Sequence, residues 1–272
     1  MTIVALCSAK NSPGVTTAAL AMTWSWRGAN LLVEADPAGG SVMAGYLEGR
    51  MPTDCGLLEL AQAALNGDDL HAITWAQMID LEGGGRQRLL LPGLSSPVQS
   101  GTVQPVWTRI GEHLRQLSEF TTDDAGAKPN VIIDCGRLTS VNVPWPLLAS
   151  ADVVLLAVSA TLPGVNAAFP VVKTLRDQLQ TANGPSLAVI LIGHEAAAYP
   201  ARDIARQLGV PVLVELPYDP ASARALSFGG RKLMLRKPLF AAAARAQDTI
   251  TAHTPRRRAR QISAVPTLGG TR

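Results

Sequence analysis

The 272-residue chain is 47% apolar and 17% charged, with a formal net charge of +3. That composition excludes an extended disordered protein, and no apolar run approaches the length of a membrane-spanning helix. The net charge conceals an asymmetry: of 24 Lys/Arg and 21 Asp/Glu, 11 bases and one acid, Asp248, lie from Arg224 onward, leaving 13 bases and 20 acids in the first 223 residues. The C-terminal fifth is therefore suited to contact with a polyanion.

Ile3 to Leu6 reads as a buried strand, Ser8-Ala9-Lys10-Asn11-Ser12-Pro13-Gly14-Val15-Thr16-Thr17 as a tight loop, and Ala18 to Met22 as the start of a helix. Strand, loop and helix N-terminus in that order make an anion site, because loop N–H groups and the helix dipole point at one spot. Phosphate is the expected occupant. The N-terminus shows no secretory signal, and Cys7, Cys55 and Cys135 are odd in number without metal spacing. Both features suit a reducing cytoplasm; Cys7 and Cys135 read as buried free thiols.

Further apolar runs at Leu31 to Val33, Arg88 to Leu91, Val131 to Ile133, Val153 to Val158, Leu187 to Ile192 and Val212 to Val214 bring the strand count to about seven. They alternate with helical patterns, so the fold class is α/β, a doubly wound and mostly parallel sheet covered on both faces. Ligands of such sheets bind at the carboxyl ends of the strands. Helices are predicted at Asp54 to Leu65, Asp68 to Asp80, Val103 to Leu117, Gly164 to Leu179, Ala201 to Leu208, Ala221 to Gly229 and Leu239 to Ile250. Trp75 reads as packing, and Val165, Ala168, Phe169, Val172, Leu175 and Leu179 as a core-facing stripe.

Acids stand where two of these runs end. Glu34-Ala35-Asp36-Pro37 places two carboxylates at i and i+2, able to face a metal-bound phosphate or simply to cap a turn. Val131-Ile132-Ile133-Asp134 is a hydrophobic strand ending in the kind of Asp that reaches Mg²⁺ in phosphate-loop enzymes, or one that caps the next turn. Pro217-Tyr218-Asp219-Pro220 closes the last strand with turn chemistry.

The spelling Lys10-Asn11-Ser12-Pro13-Gly14-Val15-Thr16-Thr17 resembles the K-G-G-V-G-K-T-T loop of the ParA/MinD family of dimeric P-loop ATPases. Glu34 to Gly39 is similar to that family's D-x-D-P-x-G switch, Val131 to Asp134 to its Walker B strand, and Pro217 to Pro220 to its P-x-D-P loop. The resemblance implies ATP and Mg²⁺ as cofactors and a homodimer as the working form. It implies Lys10 reaching phosphate across the dimer, and Gly14, Val15, Thr16 and Thr17 surrounding the phosphates. Thr16, Asp36 and Asp134 then lie on the metal side, Asp36 orients the attacking water, and Pro217 and Asp219 edge the base. His194 follows the run from Leu187 to Ile192, where that family commonly carries an Asn touching the base; the resemblance implies a place near the base, and a surface position is the alternative. Three departures mark the loop: Val15 stands where the family has Lys, Pro13 has no N–H, and Asn11 and Ser12 replace glycines. A site working with Lys10 as its only loop cation, a site that binds without efficient hydrolysis, and a relic all remain open. The implied function is a dimeric switch that partitions or positions DNA or a cellular apparatus; the alternative is a non-hydrolysing scaffold that recruits protein partners.

The resemblance divides the chain into a nucleotide domain, 1–252, and a basic tail, 253–272. Arg256-Arg257-Arg258-Ala259-Arg260 fits non-specific nucleic acid or an acidic partner, or a solvated tail; the bulky apolar residues of a membrane-targeting helix are missing, although peripheral membrane contact stays open.

Overall fold

The computed structural model describes residues 1–10, 14–50, 55–119, 128–139, 141–179, 184–194, 199–229 and 235–254. Its elements are, in order, β1 (Ile3–Ser8), α1 (Val15–Ser25), β2 (Asn30–Glu34), α2 (Leu57–Asn66), α3 (Leu70–Gln77), β3 (Ile79–Asp80), β4 (Arg88–Leu91), α4 (Ser100–Val103), α5 (Trp107–Glu119), β5 (Asn130–Arg137), α6 (Trp145–Ser150), β6 (Val153–Ser159), α7 (Leu162–Leu179), β7 (Ser186–His194), α8 (Ala201–Leu208), β8 (Val212–Pro217), α9 (Pro220–Phe228) and α10 (Pro238–His253). The basic run from Arg256 to Arg260, Asn11 to Pro13 of the loop and the His194 side chain lie outside what is described.

The strands form one sheet in the order β3-β4-β2-β5-β1-β6-β7-β8. Every neighbouring pair is parallel except β3 with β4. Alternation along β1 explains the two layers. Val4 and Leu6 point to one face, with α1, α9 and α10; Ile3, Ala5 and Cys7 point to the other, with α2, α5, α6, α7 and α8. Both faces being covered, the central strands are apolar along their middles, with polar residues toward their ends, each buried Leu or Ile contributing about 1.5–3 kcal/mol. The buried Trp26 indole donates to the Ala243 carbonyl at 2.9 Å, fastening the end of α1 to α10.

The seven predicted strands are present, and an eighth, β3, joins them. Its two residues fall inside the helix predicted over Asp68 to Asp80. Asp69 does cap α3, accepting from the His71 N–H at 3.0 Å, but the Asp80 carboxylate accepts from the N–H groups of Glu82, Gly84 and Arg86, and that turn lets Ile79 and Asp80 pair antiparallel with β4. The helix predicted over Val103 to Leu117 is interrupted: Pro105 sits in a 3₁₀ turn, Gln104–Val106, ahead of α5. On α7 the stripe holds at Ala168, Val172, Leu175 and Leu179, but Phe169 is exposed, at the rim of a hollow that it lines with Tyr199, Ile204 and Gln207. Cys7 and Cys135 are buried free thiols.

Candidate functional site

The loop after β1 enters α1 through Gly14, whose φ of 99° is a left-handed conformation open to glycine at little cost. Among the described residues no side chain caps α1, so its first N–H groups remain available to an anion. At the base of the loop the Ser8 hydroxyl is fully buried and has no hydrogen-bond partner among the described residues. Sequence reasoning overlooked Ser8, although a polar residue closing an otherwise apolar strand is a legible signal.

Register places the acids next to one another. Leu6 of β1 and Glu34 of β2 both flank Asp134 of β5, and the Thr16 hydroxyl, one residue into α1, donates to Asp134 Oδ2 at 2.5 Å. Burial pushes the Asp134 carboxyl up to about 7, against the opposing pull of the Thr16 and Gly136 hydrogen bonds; the charges of Glu34 and Asp36 push it further. Asp36 is half-buried and packs directly on Gly136. Its Oδ1 accepts from the Ala38 N–H at 2.8 Å. Burial raises it too, while the Ala38 bond and the charge of Arg137 pull it down.

Glu34 has a different task. Its buried carboxylate accepts from the N–H groups of Ser41 and Val42, at 2.8 and 3.0 Å, and of Gly93 at 3.2 Å. Gly40 and Gly93 press against it so closely that a Cβ on either would come within 3.0 Å of Glu34 or of the other glycine. It pins the segment after Asp36 to the exit of β4.

Across the N-terminus of α1, a cavity of about 120 Å³ is lined by Gly14, Thr17, Ile192, Pro217, Tyr218 and Asp219, among others. Four of the predicted cofactor-binding residues thus share one hollow, separate from the Thr16–Asp134 pair. The Asp219 carboxylate is engaged as the cap of α9, accepting from the Ser222 N–H and hydroxyl at 3.1 and 2.7 Å. Its placement is therefore fully explained by turn chemistry. Lys10 is exposed and helps line a second hollow of about 100 Å³ with Ser159, Thr161 and Gly164. Val15 does not join any of these groups: its side chain is buried in the apolar layer between α1 and the sheet.

The donors fit a phosphorylated, Mg²⁺-bound ligand. A hydroxyl and two carboxylates are hard oxygen donors, and among the described residues no three His, Cys, Asp or Glu side chains converge on a cage of their own. Magnesium in nucleotide sites typically takes one or two carboxylates and completes its shell with water and phosphate. The orphaned Ser8 hydroxyl and uncapped α1 supply neutral donors for the anion.

No family model matches the sequence. The uncharacterized protein Rv3660c of Mycobacterium tuberculosis is 30% identical over 208 residues, covering 68% of this chain and 57% of that protein, so the chain spans little more than half the length of its relative. Among solved structures, the cell division ATPase MinD of Pyrococcus furiosus aligns over 93% of this chain and 99% of its own, with a TM-score of 0.67 at 16% identity. MinD of Pyrococcus horikoshii, complexed with Mg-ADP, gives 0.66 at 15%, over 94% and 98%. A ParA family ATPase of Chlorobium tepidum gives 0.65 at 13%, over 92% and 97%. The chain therefore has the fold of the MinD and ParA ATPases. Among the described residues no helix is long and apolar enough to cross a membrane.

Proposed function

We propose that this chain binds Mg-ATP at the carboxyl ends of β1, β2 and β5 and acts as a dimeric switch that positions DNA or a cellular apparatus, with slow hydrolysis at most. The observation that carries the reading is the hydroxyl–carboxylate pair Thr16–Asp134, 118 residues apart in sequence and 2.5 Å apart in space, beside an uncapped helix N-terminus. Mg²⁺, when bound, neutralises phosphate charge and orients the phosphates; Thr16 and Asp134 hold it, directly or through water. Asp36 accepts a proton from, or orients, water at the same edge. Pro217 and Asp219 frame the hollow for the base, and Lys10 is free to meet a second copy of the chain. MinD with Mg-ADP supports the nucleotide by analogy. Residues 1–252 form the nucleotide unit in this reading, and 253–272 a basic appendage for nucleic acid or an acidic partner.

The burial of Val15 favours a second reading, a scaffold of the same fold that recruits protein partners without hydrolysis, since the loop offers no cation at that position. Titration of a fluorescent ATP analogue into wild type and Lys10→Ala, with and without Mg²⁺, separates the two. Metal-dependent micromolar binding weakened by the substitution upholds the switch. No binding up to millimolar nucleotide leaves the scaffold.

A further inference from the structure

We infer that Arg137 supplies the positive charge toward the nucleotide phosphates that Val15 cannot, an inference that rests on reading the cleft as a nucleotide site. The argument is one of register. Leu6 of β1 pairs with Asp134 of β5, but Ser8 pairs with Arg137, so β5 advances three residues while β1 advances two. The extra residue is a β-bulge containing Gly136, at φ +62°. Bulges re-aim side chains and are frequent beside active sites.

Side chains alternate along a strand, and residues paired across strands share a face. Asp134 lies on the α1 face, as its bond to Thr16 shows. Simple alternation from Asp134 would send Arg137 to the opposite face, with Cys135. The bulge instead gives it the face of its partner Ser8, which is the face of Leu6 and α1. The Leu138 N–H donates to the Ser8 carbonyl at 2.9 Å, fastening this backbone to the last residue before the loop.

Three further facts agree. Arg137 is exposed, so its guanidinium is available to a ligand. Its positive charge pulls the Asp36 carboxyl down, so the two groups lie within electrostatic reach of each other. The buried, unpartnered hydroxyl in this corner belongs to Ser8, its own register partner. A guanidinium presents a planar fork of donors that suits phosphate oxygens. In this chain the cation comes from the end of β5 rather than from the loop.

The test is binding of fluorescent ATP and AMP analogues, with Mg²⁺, by wild type, Arg137→Ala, Arg137→Gln and Arg137→Lys, each checked by its melting curve. The expected result is a loss of ATP affinity on the order of ten- to a hundredfold in Arg137→Ala and Arg137→Gln. AMP affinity should be little changed, because AMP lacks the outer phosphates, and Arg137→Lys should fall between. Unchanged ATP affinity in both neutral variants overturns the assignment of Arg137 alone, as does an equal loss for ATP and AMP, which would mark a merely structural role. Failure of the wild type to bind either nucleotide overturns both this inference and the reading of the cleft.

Discussion

Replacing Gly136 with alanine would test whether the bulge positions Asp36. A Cβ built on Gly136 lies 2.0 Å from Asp36 Cγ and 2.1 and 2.4 Å from its two oxygens, distances that no packing tolerates. Asp36 must move, breaking its bond to the Ala38 N–H. The left-handed φ adds about 1–2 kcal/mol for any L side chain, and relieving the overlap adds about 1–3 kcal/mol. The total, about 2–5 kcal/mol, should lower Tm by on the order of 5–15 °C and abolish Mg²⁺-dependent nucleotide binding. Gly28→Ala is the control: φ is +76° there, but a Cβ would meet nothing within 4 Å, so only the backbone cost applies. Thermal unfolding followed by circular dichroism reads both. If Gly136→Ala melts with Gly28→Ala and still binds nucleotide, the close approach of Asp36 is refuted.

Asp134 should make stability depend on pH in the absence of Mg²⁺. Its folded pKa of about 7 lies above the ordinary carboxylate value of 3.8, so the native chain binds more protons than the unfolded one between those limits. The contribution is fully present below about pH 4 and is lost as pH rises through 7, a change on the order of a few kcal/mol. Melting curves of Asp134→Asn from pH 5 to 8 should be flatter than those of wild type, and parallel curves would contradict this. Trp26→Ala should cost about 3–5 kcal/mol in urea unfolding through the cavity it leaves. Trp26→Phe should cost about 0.5–1.5 kcal/mol for the lost indole bond, the Ala243 carbonyl standing inside α10 and keeping its helical donor; a neutral result there would mean that the indole bond contributes nothing.

Much of the sheet was legible because parallel strands covered on both faces are apolar through their middles on both sides, and runs such as Val131 to Ile133 and Val153 to Val158 are just that. The acids at their ends were legible for the same reason: a carboxylate ending a buried run needs a partner. What pairs with what was not. β3 is two residues long, too short for any periodicity, and owes its place to the Asp80 turn. Phe169 fits the α7 stripe by spacing, but spacing gives the direction of a side chain and not whether a neighbour fills the space in front of it. Glu34 resembled a ligand in sequence, and only its three backbone donors reveal a pin. The face of Arg137 depends on a shift between two strands that are more than 120 residues apart, which neither strand records alone.

The position of β1 in the middle of the sheet has a consequence for synthesis. Its partners are β5 and β6, so once β1 has left the ribosome it has no neighbour until residue 130 has followed it. At roughly 5–20 residues per second that interval is on the order of ten seconds. For that time an apolar strand with two open edges waits beside a glycine-entered loop whose neighbours in the sheet have not been made. Asp152, whose carboxylate accepts from the Ile3 N–H at 2.8 Å, arrives later still. Nascent chains arrested before β6 should therefore engage chaperones strongly and protect no part of the loop from protease, and chains released beyond it should do neither.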